Sequence, residues 1–457
     1  MLFPSFTFIL AFLPVTAILY FLLGKYSRNA ARIWLLAASF VFYSWFNHTY
    51  FLILLGSILG NYLFASVLWK HRSKIALIIG IVLNILLLGY FKYCDFFIEN
   101  INAALDLSIP FQKIILPLGI SFFTFQQISF LHSVYSRSLK ERYSFLTYAT
   151  FVSFFPQLIA GPIVLPDEMM PQFDKPDSLK VNAQNISTGL FVFALGLSKK
   201  ILLADFFAET ADAGFAAGAN GALLDSWLTA LAYTFQIYFD FSGYCDMAIG
   251  IALIFNIRLP ENFNSPYRSG NIAEFWRKWH ITLGRFLMTY IYFPIGGSKA
   301  GKFRTCCNLM ITFLISGLWH GASWLFVLWG AVHGIALVIQ RVWSKMLNLT
   351  MPAVCGKILT FLFVCLAWIL FRAENMTQAK ALYRAMFAPE KWIAQLPDGK
   401  TIILFIAGII IVAFFPTASS RADHFKPTLV NALIAIALIV TSMFFFVKTS
   451  PFIYFNF

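Results

Sequence analysis

Long apolar runs recur along the chain, at Phe6 to Leu23, Ile33 to Phe46, Phe51 to Trp69, Ile75 to Tyr90, Ser144 to Leu165 and Gly189 to Ala204, and again after Ser226. A helix rises ~1.5 Å per residue and a hydrocarbon core is ~30 Å thick, so runs of this length predict membrane helices. The pattern predicts an all-α polytopic protein with roughly eleven to thirteen membrane segments, some re-entrant or broken by Pro and Gly. The least apolar stretches are Asp167 to Asn185, Ala208 to Asp225, Pro260 to Arg304 and Arg372 to Thr401. None has the length or composition of a soluble domain, a repeat or a low-complexity linker, so residues 1–457 read as one membrane-embedded domain.

Composition agrees with the pattern. Of 457 residues 60% are hydrophobic and 12% charged, with a mean hydropathy of +0.75, which no soluble chain of this length can hide. The net charge of +14 does not point to nucleic acid, because the basic residues sit in short loops between apolar runs, where cytoplasmic retention of Lys and Arg explains them. Lys25, Arg28 and Arg32 read as a cytoplasmic loop, Asn47 to Tyr50 as an outside link, and Lys70, Arg72 and Lys74 as cytoplasmic again, which puts the N-terminus outside. The first run has no charged region before it and reads as a retained helix, not a cleaved signal peptide. The six cysteines form no CxxC pair and read as buried free thiols.

Two stretches carry chemistry. Between Glu261 and Met310, the charged Glu274, Arg277, Lys278 and Arg285 alternate with Phe275, Trp276, Trp279 and Phe286, as in a helix lying at the membrane interface. Arg and Lys there suit a polyanionic donor such as a coenzyme A thioester, or equally an anchor to anionic headgroups. The second stretch, LISGLWHGASW from Leu314 to Trp324, puts a histidine among small residues inside an apolar run. If the chain re-enters the bilayer near Cys307, His320 lies roughly 20 Å along a helix, past the midplane. Ionisable groups at that depth are functional by default, although a histidine that only hydrogen-bonds between helices is the plainer alternative. Gly317, Gly321, Ala322, Ser316 and Ser323 keep the surroundings small, so that another backbone or a substrate can approach.

A neutral imidazole takes a proton from a hydroxyl at ordinary pH, which makes His320 a candidate general base. No GxSxG elbow, HExxH, Walker A loop or dinucleotide fingerprint is present. The remaining histidines form no ligand-spaced pair, so no metal site is expected. On a continuous helix His333 would lie about 20 Å from His320, and the two share a site only if the helix breaks. His280 comes from another segment and can converge freely.

YFDFSGYCDMAIG (Tyr238 to Gly250), LPENFNSPYRS (Leu259 to Ser269), FWRKWHITL (Phe275 to Leu283), YFPIGG (Tyr292 to Gly297), GLWHGASW (Gly317 to Trp324) and the terminal FIYFNF (Phe452 to Phe457) together resemble the bacterial membrane-bound O-acyltransferases. LPLGISFFTFQQISF (Leu116 to Phe130) and FFPQLIAGPI (Phe154 to Ile163) fit as well. The nearest branch is that of the alginate and peptidoglycan O-acetyltransferase membrane subunits. The resemblance implies a multi-helix bundle around a central funnel in the cell inner membrane. It implies transfer of an acetyl group from cytoplasmic acetyl-CoA toward an exported glycan, with His320 and His280 catalytic and Arg277, Lys278, Trp279 and Trp319 at the donor. Acetyl-CoA is then a substrate, and no bound cofactor or metal is implied. An extracytoplasmic SGNH-type acetyltransferase is the implied partner, alongside membrane lipids. The acceptor stays open among alginate, peptidoglycan and other glycans, as does a covalent intermediate such as an acyl-histidine.

Three positions depart from the resemblance: Met288 and Thr289 stand where Arg-Asp is expected, and Cys245 where serine is usual. Asp240 and Asp246, six apart in an apolar stretch, either line the funnel or pair with buried bases. D-alanyl transfer to teichoic acid from a carrier protein is the alternative within the enzyme class. A proton-relaying transporter or a non-enzymatic anchor is the alternative outside it. The orientation is tested by labelling single cysteines. Lys70 to Lys74 and Lys299 to Arg304 are expected to react only from the cytoplasm, and Asn47 to Tyr50 only from outside. Reaction near Lys302 from the outer face overturns the donor-side assignment.

Overall fold

The computed structural model describes the whole chain except residues 46, 218–220, 300, 394–395, 447–449, 451 and 454–457. Most of the FIYFNF motif, the last residue of the Ile33 to Phe46 run and one residue of the Lys299 to Arg304 loop therefore lie outside the described residues. The described chain is helical; its extended pairing is an isolated bridge between Ala222 and Lys391.

Among the described residues six helices are long and apolar enough to cross a membrane: Thr7–Tyr26, His48–His71, Lys74–Leu105, Leu223–Ile254, Trp324–Met346 and Ala353–Arg372. Gly399–Phe414 and Leu429–Met443 are apolar but shorter. The protein is thus an all-α, multi-pass membrane protein. Several of the other apolar runs are built from shorter helices. Ser144 to Leu165 splits into Phe145–Ser153 and Phe155–Leu158, with Phe154 leaving helical geometry just before Pro156, which lacks the N–H needed to continue the ladder. Residues 33–44 of the Ile33 to Phe46 run lie in a 17-residue helix, Arg28–Ser44.

Short polar links set the helix ends. Ser27, Asn47 and Ser73 each accept a backbone N–H of the first turn that follows. Arg72, in the left-handed region at φ 46°, closes the His48–His71 helix, and Lys74 opens the next. Arg72 and Arg137 also bond the Tyr135 and Trp69 carbonyls, so these basic loops are pinned as well as charged. Of the cysteines expected to be buried, Cys245 and Cys365 are, whereas Cys355 is exposed on an apolar helix.

The chain divides into two compact units. The first comprises Met1–Leu195, Tyr244–Pro260 and Ala422–Phe446. Within it, Arg32 is a buried structural residue as well as a loop charge, since its guanidinium donates to the Phe173 carbonyl and pairs with Asp174. Asn61 and Asn84 exchange side-chain hydrogen bonds between neighbouring helices. Gly189 and Gly250 cross so closely that a Cβ on either would sit 2.5 Å from the other's carbonyl oxygen.

The second unit comprises Gly196–Gly243, Glu261–Arg421 and Val447–Phe457. At its centre is a buried charge cluster: Lys200 Nζ lies 2.8 Å from Asp205 and 2.9 Å from Asp240. Lys200 belongs to a π-helical turn, Lys199–Ala204, and Gly243 admits that turn closely, because a Cβ there would meet Lys200 N at 3.1 Å. Ser450 donates to Asp205, and the Ile453 N–H donates to Asp240, which ties the end of the described chain to the cluster. Asp240 is thus the partner of a buried base.

Removing one member of a buried pair strands charge in a low-dielectric interior. Lys200→Met is expected to destabilise the detergent-solubilised protein by about 3–5 kcal/mol, with Asp240→Asn in the same chain recovering part of the loss. An unchanged thermal midpoint in Lys200→Met would show that the cluster does not hold the unit together.

Candidate active site

The stretch expected to form one interfacial helix is two short helices, Ile272–Lys278 and Ile281–Leu287. They break at His280, whose backbone is left-handed, with φ 46° and ψ 52°. Asn262 holds the break. Its Oδ1 accepts from the Thr282 N–H at 3.2 Å and the Thr282 hydroxyl at 2.9 Å, and its backbone carbonyl accepts from Ile281. His280 Nδ1 lies 3.2 Å from the same Oδ1. An amide oxygen cannot donate, so Nδ1 carries the proton and the basic lone pair of His280 is on Nε2.

Along the Ile272–Lys278 helix the side chains divide by face. Phe275 is buried, whereas Arg277 is exposed. Lys278 is 2.7 Å from Glu274. Partial burial pushes the Glu274 carboxyl up, but the Lys278 ammonium and the Gly270 N–H outweigh it and leave the group below its ordinary range. Lys278 therefore spends its charge locally, and Arg277 is the better placed of the two to meet an anion. Trp279, expected at the donor, is packed with its ring centroid 5.0 Å from Phe263 and 4.9 Å from Trp368, at 1% exposure. It belongs to the interior of the unit.

The Lys302–His320 helix ends on His320. Gly321 is extended, Ser323 caps the next helix by accepting from Leu325, and Trp324–Arg341 runs back along the first. Gly317 and Gly330 make the return possible. A Cβ on Gly317 would lie 2.3 Å from the Phe326 carbonyl oxygen and 3.1 Å from Gly330 Cα. A Cβ on Gly321 would strike the Phe326 ring at 2.1 Å. The small residues of GLWHG are thus needed for a backbone and a ring to approach.

His320 is 3% exposed. Its ring meets Trp319, Trp329 and Phe371 edge to face, with centroids 4.9, 5.1 and 5.1 Å away. Trp319 in turn lies 6.2 Å from His280, whose other face meets Phe241 at 4.8 Å. Both sequence-assigned histidines thus border one indole, that of Trp319. Because the helix breaks after His320, His333 also reaches this neighbourhood, with its ring 4.8 Å from Trp329. The sequence made a shared site for His333 conditional on a helix break, placed Trp276 only in the interfacial alternation, and gave no role to Asn262 or Trp329. The signal available was the WGAVH spacing, which puts Trp329 and His333 one helical turn apart on one face.

A buried imidazole at a helix end, beside a second imidazole with a defined tautomer and a cationic helix next to it, has the parts for proton transfer to and from a reacting oxygen. Comparison with known proteins identifies the family. A sequence model of the membrane-bound O-acyltransferase family matches residues 2–377. The chain is 45% identical over 419 residues to a peptidoglycan O-acetyltransferase of Helicobacter pylori, covering 84% of this chain and 80% of that protein. It is 38% identical over 431 residues to the probable alginate O-acetylase AlgI of Pseudomonas aeruginosa, covering 91% of this chain and 81% of the relative. It is 26% identical over 280 residues to a teichoic acid D-alanyltransferase of Bacillus subtilis, covering 58% of this chain and 71% of the relative. The chain, an acyltransferase of many membrane helices, therefore belongs to the membrane-bound O-acyltransferase family.

Proposed function

We propose that the protein is an O-acetyltransferase of the cell inner membrane that passes an acetyl group from cytoplasmic acetyl-CoA toward an extracytoplasmic polysaccharide of the peptidoglycan or alginate kind, with His320 as the general base. The observation that carries this reading is the placement of His320, buried at the end of its helix and sharing Trp319 with the oriented His280. In the reaction an acceptor hydroxyl oxygen attacks the thioester carbonyl carbon while its proton passes to His320. The carbon–sulfur bond then breaks, and the coenzyme leaves as a thiol after taking up a proton. His280, with its lone pair on Nε2, supports the reacting groups from the far side of Trp319. Arg277 on the exposed face of its helix meets donor phosphates, with Lys278 second because Glu274 already engages it. A secreted SGNH-type protein is the expected receiver of the acetyl group ahead of the glycan. The D-alanyl reading ranks lower because the teichoic acid relative matches a smaller part of the chain at lower identity.

His320→Asn keeps size and hydrogen bonding but cannot take a proton near neutral pH. It is expected to lower acetyl transfer from acetyl-CoA by roughly 10²- to 10⁴-fold at unchanged membrane expression and monodispersity. His280→Asn should cost less. Near-normal transfer by well-folded His320→Asn would make this imidazole structural and require a different general base.

A further inference from the structure

We propose that His333 is a positioning residue for acyl transfer, holding His320 through the Trp329 indole. This rests on the assignment of His320 as the general base. His333 is 0% exposed on the helix that returns from the site. Its Nδ1 accepts the Trp276 Nε1–H at 3.3 Å. An indole nitrogen only donates, so Nδ1 carries a lone pair and His333 is the neutral tautomer with its proton on Nε2.

That hydrogen bond fixes the rotation of a ring packed on both tryptophans, with centroids 5.0 Å from Trp276 and 4.8 Å from Trp329. Trp329 is also 0% exposed, and His320 meets it at 5.1 Å with the ring planes 84° apart. The Trp329 indole thus lies between two imidazoles, one hydrogen-bonded and one reactive. The backbone around it has little room to give. A Cβ on Gly330 would sit 2.3 Å from the Phe313 carbonyl oxygen, and one on Gly334 would sit 2.8 Å from Met310 Sδ. Gly330 and Gly334 flank His333 on the face that meets the Lys302–His320 helix, so a shift of His333 has no slack to dissipate into and passes to Trp329.

His333→Phe keeps a ring against Trp329 but offers Trp276 no acceptor. His333→Asn removes the ring but places an amide oxygen near the position of Nδ1. If the bond sets the geometry, His333→Phe lowers kcat about 10- to 100-fold, with KM for acetyl-CoA changed less than about twofold, and His333→Asn recovers part of kcat. The deciding measurement is a double-mutant cycle of radiolabelled acetyl transfer. In the His320→Asn background, His333→Phe should add less than about twofold, because a residue acting through His320 has nothing left to position. Full activity of His333→Phe, or a loss that multiplies that of His320→Asn, overturns the positioning role and leaves the base assignment intact. Near-normal transfer by His320→Asn alone overturns the base assignment instead.

Discussion

The contact between Gly317 and Gly330 is the constraint on which the site depends. Without side chains at those positions two helix backbones approach directly, and the chain turns back within Gly321, Ala322 and Ser323. The turn leaves His320 on the last residue of its helix, where the backbone ladder stops and the side chain is not hidden by a following turn. It also converts a histidine that would be far along a straight helix into a near neighbour across Trp329. In a membrane protein such close crossings contribute dispersion contacts where lipid offers no hydrophobic drive between helices.

A second constraint is that polar groups in an apolar interior must bring their partners with them. Lys200 meets Asp205 and Asp240, Asn61 meets Asn84, and Arg32 meets Asp174 and the Phe173 carbonyl. Apart from the local Lys200–Asp205 pair, these contacts join segments more than twenty residues apart, so they specify a register between helices that apolar packing alone would leave degenerate. The terminal segment takes part through Ser450 and Ile453, and docking it satisfies carboxylate oxygens that would otherwise be costly to bury.

The two histidines assigned to chemistry are held in different ways. His280 is fixed by hydrogen bonds, because Asn262 supports the broken helix and takes the Nδ1 proton. His320 is surrounded by aromatic rings that restrict its rotation while adding no charge.

The sequence by itself determined the helical class, the membrane setting, the family and the prominence of His320, because these depend on local composition, apolar run length and contiguous motifs. Apolar length alone did not show where a run breaks: Ser144 to Leu165 has the hydropathy of one crossing but is split ahead of Pro156. Trp279, which the resemblance puts at the donor, packs into the aromatic interior of its unit, a placement that only the fold shows. Lys200 with Asp240, Asn262 with His280, and Trp276 with His333 were decided only by the tertiary structure. Their partners lie tens of residues apart, and no periodicity records a hydrogen bond that exists only after the chain has turned back on itself.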